Sequence, residues 1–398
     1  MKKNLLIAAI LIAVFMVSCL VYSFVEPYLI EEKHITISHP QIPRNFSGKK
    51  LVFITDTHYG RFFSRQRLDD LLQRVSEIPD VVQVLFGGDY ADGGQEKVQE
   101  FFESVYKHLG GKAKYAGILG NHDYLYDVEK TRNMFGGSSL VNRSFVIAGE
   151  NGSPNLVLAG IDDSDYGHPN LEKTLENTKE DDFTILLSHS PDISEELDED
   201  STVDLVLSGH THGGQITFFG LWAPVTMSKY GQKYVSGETE TPFGKTITSN
   251  GIGTVLLPMR FFARPQIIVL ELEKIEQKVK IGGKEIKIEI ADTPAKRKKG
   301  LSLRLKLCPD CGMLFVFEKE DRHTFWMKDT FIPLDMIFID KNKRIVDIKK
   351  AEPCEKGKDC TLYQPSENCL YVLELNPGIV SQDMVGEIIE INIPEDIK

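Results

Sequence analysis

Five short apolar runs in this chain end in clusters of aspartate, histidine and asparagine, and that repetition limits the folds open to it. Leu51–Thr55 leads into Asp56-Thr57-His58, Val81–Phe86 into Gly88-Asp89, and Tyr115–Leu119 into Gly120-Asn121-His122-Asp123. Phe183–Ser188 leads into His189, and Asp204–Ser208 into Gly209-His210-Thr211-His212. Runs this short, bounded by glycine and polar residues, read as buried strands, and amphipathic helices are predicted at 68–78 and 96–109. Strands alternating with helices predict an α/β fold with a sheet covered on both faces. The carboxyl ends of such strands form the ligand crevice, so the five clusters are expected to meet in one place.

The side chains in those clusters define a class of chemistry. Imidazole, carboxylate and amide oxygen are hard or borderline donors that suit Mn, Fe, Zn or Co. No cysteine lies between residues 20 and 307, which excludes a thiolate zinc site there. Asp56, His58, Asp89, Asn121, His189, His210 and His212 outnumber the four ligands one ion takes, so two divalent ions are expected, bridged by a carboxylate. One Asp-x-His or His-x-His alone is usually a satisfied surface or core pair; five motifs at strand ends are not. The chain carries 46 Lys+Arg against 58 Asp+Glu, a formal net charge of −12, and no basic run longer than Lys296–Lys299. A nucleic-acid surface is therefore not expected. Two bound cations would still make the pocket locally positive for an anionic substrate.

From Leu5 to Val25 the chain is almost wholly apolar and uncharged, long enough for a helix of about 31 Å that crosses a bilayer. Lys2 and Lys3 precede it and Glu26, Glu31 and Glu32 follow, so a single-pass anchor is expected, with its N-terminus cytoplasmic and everything after it outside the cell membrane. A cleaved signal peptide, or a lipoprotein processed at Met16-Val17-Ser18-Cys19, would export the remainder equally. Near residue 275 the pattern changes: Lys278–Ile290 alternates with period two around Gly282-Gly283, a hairpin signal, and the rest is strand-rich. The expected organisation is an anchor at 1–25, a metal-binding domain at 26–274 and a smaller mainly-β (α+β) domain at 275–398. Five of the six cysteines fall in that last part. They fit an exported domain with disulfides, Cys354 with Cys360 first among them. Cys308-Pro-Asp-Cys311 reads as a redox pair or, with other cysteines, a zinc site.

The order Asp-x-His, Gly-Asp, Gly-Asn-His-Asp, His, Gly-His-Thr-His resembles the calcineurin-like metallophosphoesterase superfamily, over about residues 33–274. The resemblance implies a two-layered β-sandwich flanked by helices and a two-metal centre. It implies that Asp56, His58, Asp89 and His212 hold one ion, and Asp89, Asn121, His189 and His210 the other. It gives His122 the substrate phosphate or the leaving-group proton, and Asp123 the orientation of His122. Asp92 and Asp163 are expected to support rather than ligate. His210–Gln215, Gly251–Thr254, Leu257-Pro258, Arg260 and Arg264-Pro265 resemble a membrane-anchored bacterial branch, similar to phosphodiesterases and to pyrophosphatases of UDP-linked lipid sugars. In that setting Arg260 and Arg264 are candidate clamps for a second phosphate, or else structural ion pairs.

The implied activity is dinuclear, Mn-, Fe- or Zn-dependent hydrolysis of a phosphodiester or diphosphate bond, in a lipid-linked or nucleotide-sugar envelope substrate. The alternative is an anchored envelope binding protein whose C-terminal domain recruits a partner of unknown identity. Gly312–Phe317, Trp326–Thr330, Pro333–Asp335 and Leu373–Asn376 resemble a small domain family of unknown function, over roughly 276–397. There Asp335 and Glu374 are candidates for function, buried pairs or turns.

Overall fold

A computed structural model describes residues 2–111, 114–149, 154–354 and 359–393. The chain divides into two compact units, Met1–Ile275 and Glu276–Lys398.

The first unit opens with helix α1 (Lys2–Val25), whose apolar side chains are almost all exposed. Among the described residues it is the one helix long and apolar enough to cross a membrane. Two sheets follow. The first runs in the order β1 (Glu31–His39), β11 (Gln266–Lys274), β2 (Lys50–Ile54), β3 (Val81–Phe86), β4 (Lys114–Gly117). The second runs β5 (Arg143–Ile147), β6 (Leu156–Gly160), β7 (Phe183–Leu187), β8 (Leu205–Ser208), β10 (Gly244–Thr248), β9 (Gly237–Thr241). Strands β2, β3 and β4 are mutually parallel, as are β6, β7, β8 and β10.

Strand alternation builds the layers. Leu51, Phe53 and Leu85 point to the side shared with Leu158, Ile185, Leu187 and Leu207, and form the core between the sheets. Val52, Ile54, Val84 and Phe86 point the other way, onto helices α2 (Arg65–Glu77) and α3 (Gln95–Leu109). Helix α2 starts where the Ser64 hydroxyl accepts the Arg67 amide, and it buries Leu68, Leu71, Leu72 and Val75, the i, i+3, i+4, i+7 stripe. Short helices α4 (Val128–Met134) and α5 (Leu171–Leu175) complete the outer layers, α5 packing beside Leu186 and Val206. The result is a β-sandwich flanked by helices. In it the carboxyl ends of β2, β3, β4, β7 and β8 carry the five polar clusters.

The second unit is one seven-stranded sheet, in the order β17 (Ile345–Ala351), β16 (Leu334–Ile339), β19 (Cys369–Leu375), β14 (Cys311–Asp321), β13 (Lys284–Ala291), β12 (Lys278–Ile281), β20 (Glu390–Asn392). A pair of two-residue strands, β15 (Phe325–Trp326) and β18 (Leu362–Tyr363), and helix α6 (Pro294–Lys299) complete it. Gly282 and Gly283, both at positive φ, turn the β12–β13 hairpin. Cys308–Cys311 and Cys354–Cys360 are disulfides, and Cys369 is free and buried. The lysines enclosed by the second bridge, Lys356 and Lys358, lie outside the described residues.

Candidate metal centre

The five strand ends converge on a buried polar cluster. Asp56, His58, Asp89, His189, His210 and His212 are all buried, and Asn121 is half-buried beside them. Backbone strain marks the same residues: Asp56, His58, Asp89, His210 and His212 all have φ between 43° and 67°. Non-glycine residues rarely adopt that left-handed region, and its cost is borne where surrounding structure enforces it, as at functional sites. Glycines leave room for the side chains. A Cβ on Gly120 would stand 2.3 Å from Asp89 Oδ1, and one on Gly209 2.1 Å from Asp56 Oδ2.

Two donor groups share one carboxylate. His58 Nε2 lies 3.5 Å from Asp89 Oδ2 and 3.2 Å from His212 Nε2, and His212 Nε2 lies 3.4 Å from Asp56 Oδ1. On the other side of Asp89, His189 Nε2 lies 3.3 Å from the same Oδ2, and the Asn121 Oδ1 is 3.1 Å from His189 Nε2 and 3.0 Å from His210 Nδ1. Donors about 2.1 Å from a common tetrahedral ion stand about 3.4 Å apart, so the spacing fits cations. Facing ring nitrogens and carboxylates this close are otherwise mutually repulsive unless protons or cations separate them. The tautomers fit as well. His189 Nδ1 is 2.8 Å from the Gly87 carbonyl, and His58 Nδ1 3.2 Å from Asp92 Oδ1, which leaves both Nε2 atoms for the cluster.

Electrostatics follow from burial and crowding. Burial acts to raise the Asp89 carboxyl, but the neighbouring His189 and His58 override it and hold it well below the usual carboxylate range. Burial drives His210 and His212 down, so both imidazoles are neutral and offer lone pairs. His189 goes the other way: burial would lower it, but the carboxylates of Asp89 and Asp56 raise it, so a cation bound beside Asp89 would take the place of its proton.

His122 stands at the rim, with about a third of its side chain exposed. Its ring packs edge-on against His58, with centroids 4.7 Å apart, and its Nδ1 is 3.4 Å from Asp92 Oδ1. The hydrogen bond to Asp92 raises the His122 imidazole. Asp123 does not play the expected orienting part. Its buried carboxylate accepts the amides of Gly120 at 2.9 Å, Asp89 at 2.8 Å and Tyr90 at 3.1 Å, tying two strand-end loops together. Burial and the charge of Asp89 push it up to about 7. Asp92, expected only as support, is the residue that touches both His122 and His58. Asp163 accepts the amides of Asp165 and Tyr166 and shapes a loop.

Of the two arginines, Arg260 differs from the expected clamp. Arg260 is fully buried, and its guanidinium donates to the carbonyls of Gly253, His212, Ala263 and Asn250. No donor remains free for a phosphate, so it braces the His212 loop rather than clamping substrate. Arg264 is exposed and bonds Tyr22. One link had no signal in the sequence. The Arg260 amide donates to the Ser23 carbonyl at 2.9 Å, and the buried Glu26 carboxylate accepts the amides of Phe262 and Ala263, each at 2.7 Å. The end of α1 is thereby stitched to the loop that carries Arg260.

Residues 49–214 match the calcineurin-like phosphoesterase family, and residues 277–391 match DUF192, described as an uncharacterized ACR family. The Bacillus subtilis metallophosphoesterase YkuE is 32% identical over 257 residues, 63% of this chain and 88% of that protein. The Escherichia coli phosphodiesterase YaeI is 31% identical over 57% of this chain and 83% of that one. A Danio rerio transmembrane protein with a metallophosphoesterase domain is 28% identical over 68% of this chain and 63% of that one. The chain belongs to the calcineurin-like phosphoesterase family, and a DUF192 domain follows. It is a metal-dependent hydrolase of phosphoesters, with an apolar helix at its N-terminus.

Proposed function

We propose that this hydrolase uses two divalent ions, drawn from Mn, Fe or Zn, to cleave a phosphodiester or diphosphate bond in a lipid-linked or nucleotide-sugar substrate. The observation that carries this reading is the single Asp89 oxygen standing 3.5 Å from His58 and 3.3 Å from His189, which suits a bridging ligand. Asp56, His58, Asp89 and His212 would hold one ion, and Asp89, Asn121, His189 and His210 the other. When bound, such ions supply Lewis acidity toward phosphoryl oxygens and an activated water.

The chain's own residues supply the rest. His122, held through Nδ1 by Asp92, presents Nε2 to give a proton to the departing oxygen. Asp123 keeps the Gly120 and Asp89 loops in register, so that Asn121 and Asp89 face the same space. Residues 26–274 carry the chemistry, and 275–398 form an accessory domain. Lys2 and Lys3, the first residues of α1, support a cytoplasmic N-terminus, with both soluble domains outside.

Turnover should be measured on four substrates, each with Mn, Fe and Zn: an aryl monoester, an aryl diester, a nucleotide-sugar diphosphate and a lipid diphosphate. Diester or diphosphate cleavage that is lost with chelator is expected. No turnover of any ester with any metal would favour the alternative, an anchored binding protein.

A further inference from the structure

Two loops beside α1 carry an apolar surface that the metal centre does not use. From Ile216 to Ser228 no residue is charged, nor from Gly251 to Met259. Their tips face outward: Leu221 is 82% exposed, Leu256 83% and Phe218 63%, with Trp222, Val225 and Leu257 also exposed. Large apolar side chains exposed together on neighbouring loops mark an interaction surface.

Its position names the occupant. The Phe219 ring stacks on Phe15 of α1 at 6.2 Å, and Tyr22 meets Phe261 at 6.1 Å and Phe262 at 5.8 Å. Phe15 lies ten residues before Val25, about 15 Å back along the helix axis. That is about half the thickness of a hydrocarbon core. A bilayer that surrounds α1 must therefore also surround the loop that touches Phe15. Exposed Lys229 and Arg264, near the ends of these loops, suit phosphate headgroups.

We propose that the 216–228 and 251–262 loops form a second membrane-contact surface, an aromatic and aliphatic wedge seated in the bilayer alongside α1. The wedge is joined directly to the metal centre. Gln215 receives the Val255 amide at 2.9 Å and donates its own amide to the His212 carbonyl at 3.0 Å, while Ile216 bridges to Phe261. Residue 212 is thus held only a few residues from the membrane. This deepens the proposed function, because it supports presentation of a phosphoester at the lipid surface, but the wedge itself is testable without turnover.

The chain holds two tryptophans, Trp222 on the wedge and Trp326 in the second unit. Full-length Trp326→Phe protein is placed in phosphatidylethanolamine–phosphatidylglycerol vesicles containing lipids brominated along the acyl chain, and Trp222 fluorescence is read. Strong quenching by acyl bromines and a blue-shifted emission are expected. Full accessibility of Trp222 to aqueous iodide, with no quenching by brominated lipid, would overturn the wedge. Shielding from both quenchers would also overturn it, in favour of a protein partner. As a second variant, Leu221→Asp with Leu256→Asp should keep hydrolysis of a soluble aryl ester within twofold. The same variant should lower hydrolysis of a vesicle-borne phosphoester at least tenfold. Equal loss on both substrates would overturn the wedge, whereas absence of any turnover even in the unaltered protein would bear on the proposed function alone, since the quenching result stands without it.

Discussion

Both units of this protein bury carboxylates, and they treat them in opposite ways. At the strand ends of the first unit, Asp56, Asp89 and Asp123 each meet amides or imidazoles, on a backbone held at positive φ at Asp56 and Asp89. In the second unit, Glu374 points into the face that holds Met313 and Met336, and its carboxylate has no hydrogen bond or ion pair among the described residues. Burial alone pushes it up to about 8. Asp335, paired with Leu375 on the adjoining strand, accepts the Gly378 amide through Oδ2 while Oδ1 is buried without a partner. Many partners around a strained carboxylate mark a site built for ligands. A solitary buried carboxyl marks a proton-dependent stability instead.

The contrast can be broken by substitution, beginning with the largest effect. Asp56→Ala should remove one side of the donor set and lower turnover of an aryl phosphodiester by roughly 10³-fold or more, read alongside bound metal. His122→Ala should lower turnover about 10²–10⁴-fold while metal content holds, with a smaller loss for good leaving groups than for poor ones. Gly120→Ala drives a methyl into Asp89 and His189; metal affinity should fall about 10–100-fold with the fold retained by circular dichroism. In the second unit the expected effect is on stability. Glu374 binds a proton more tightly folded than unfolded, so stability is full at low pH. It falls from about pH 4.5, where the unfolded carboxyl ionises, and levels off above about pH 8. The slope is at most about 1.4 kcal/mol per pH unit. Glu374→Gln should flatten that profile, measured by urea unfolding through Trp326 fluorescence in a Trp222→Phe background. A slope unchanged by the substitution would mean that Glu374 is solvated or paired.

Much of the fold was legible because strand alternation and glycine turns are local signals. The strand at Val81–Phe86 and the hairpin around Gly282-Gly283 fall where the pattern predicts them. The β9–β10 pair leaves no such signal, because Gly237–Thr241 is polar and half-exposed at a sheet edge and lacks an apolar run. At the site, the residue types and the meeting of five strand ends could be read from motif order. The partner of His122 could not. Asp123 is its chain neighbour, but both lie in a 3₁₀ turn, Asn121–Leu125, where successive side chains diverge by about 120°. Asp92, thirty residues earlier in the chain, arrives there only through folding. Arg260 shows the same limit, since an arginine near a phosphate motif reads alike whether it faces substrate or four backbone carbonyls. The hook from Glu26 to Phe262 spans 236 residues and leaves no pattern in the sequence.

The central claim is that one carboxylate, Asp89, serves both halves of a two-ion centre. It is tested most directly by counting metal ions in purified full-length protein and in Asp89→Ala, by inductively coupled plasma mass spectrometry, with phosphodiester turnover on the same samples. About two ions per chain in the parent, and loss of both metal and turnover together in Asp89→Ala, are the results this account predicts. Undiminished metal content with full activity in Asp89→Ala would contradict it.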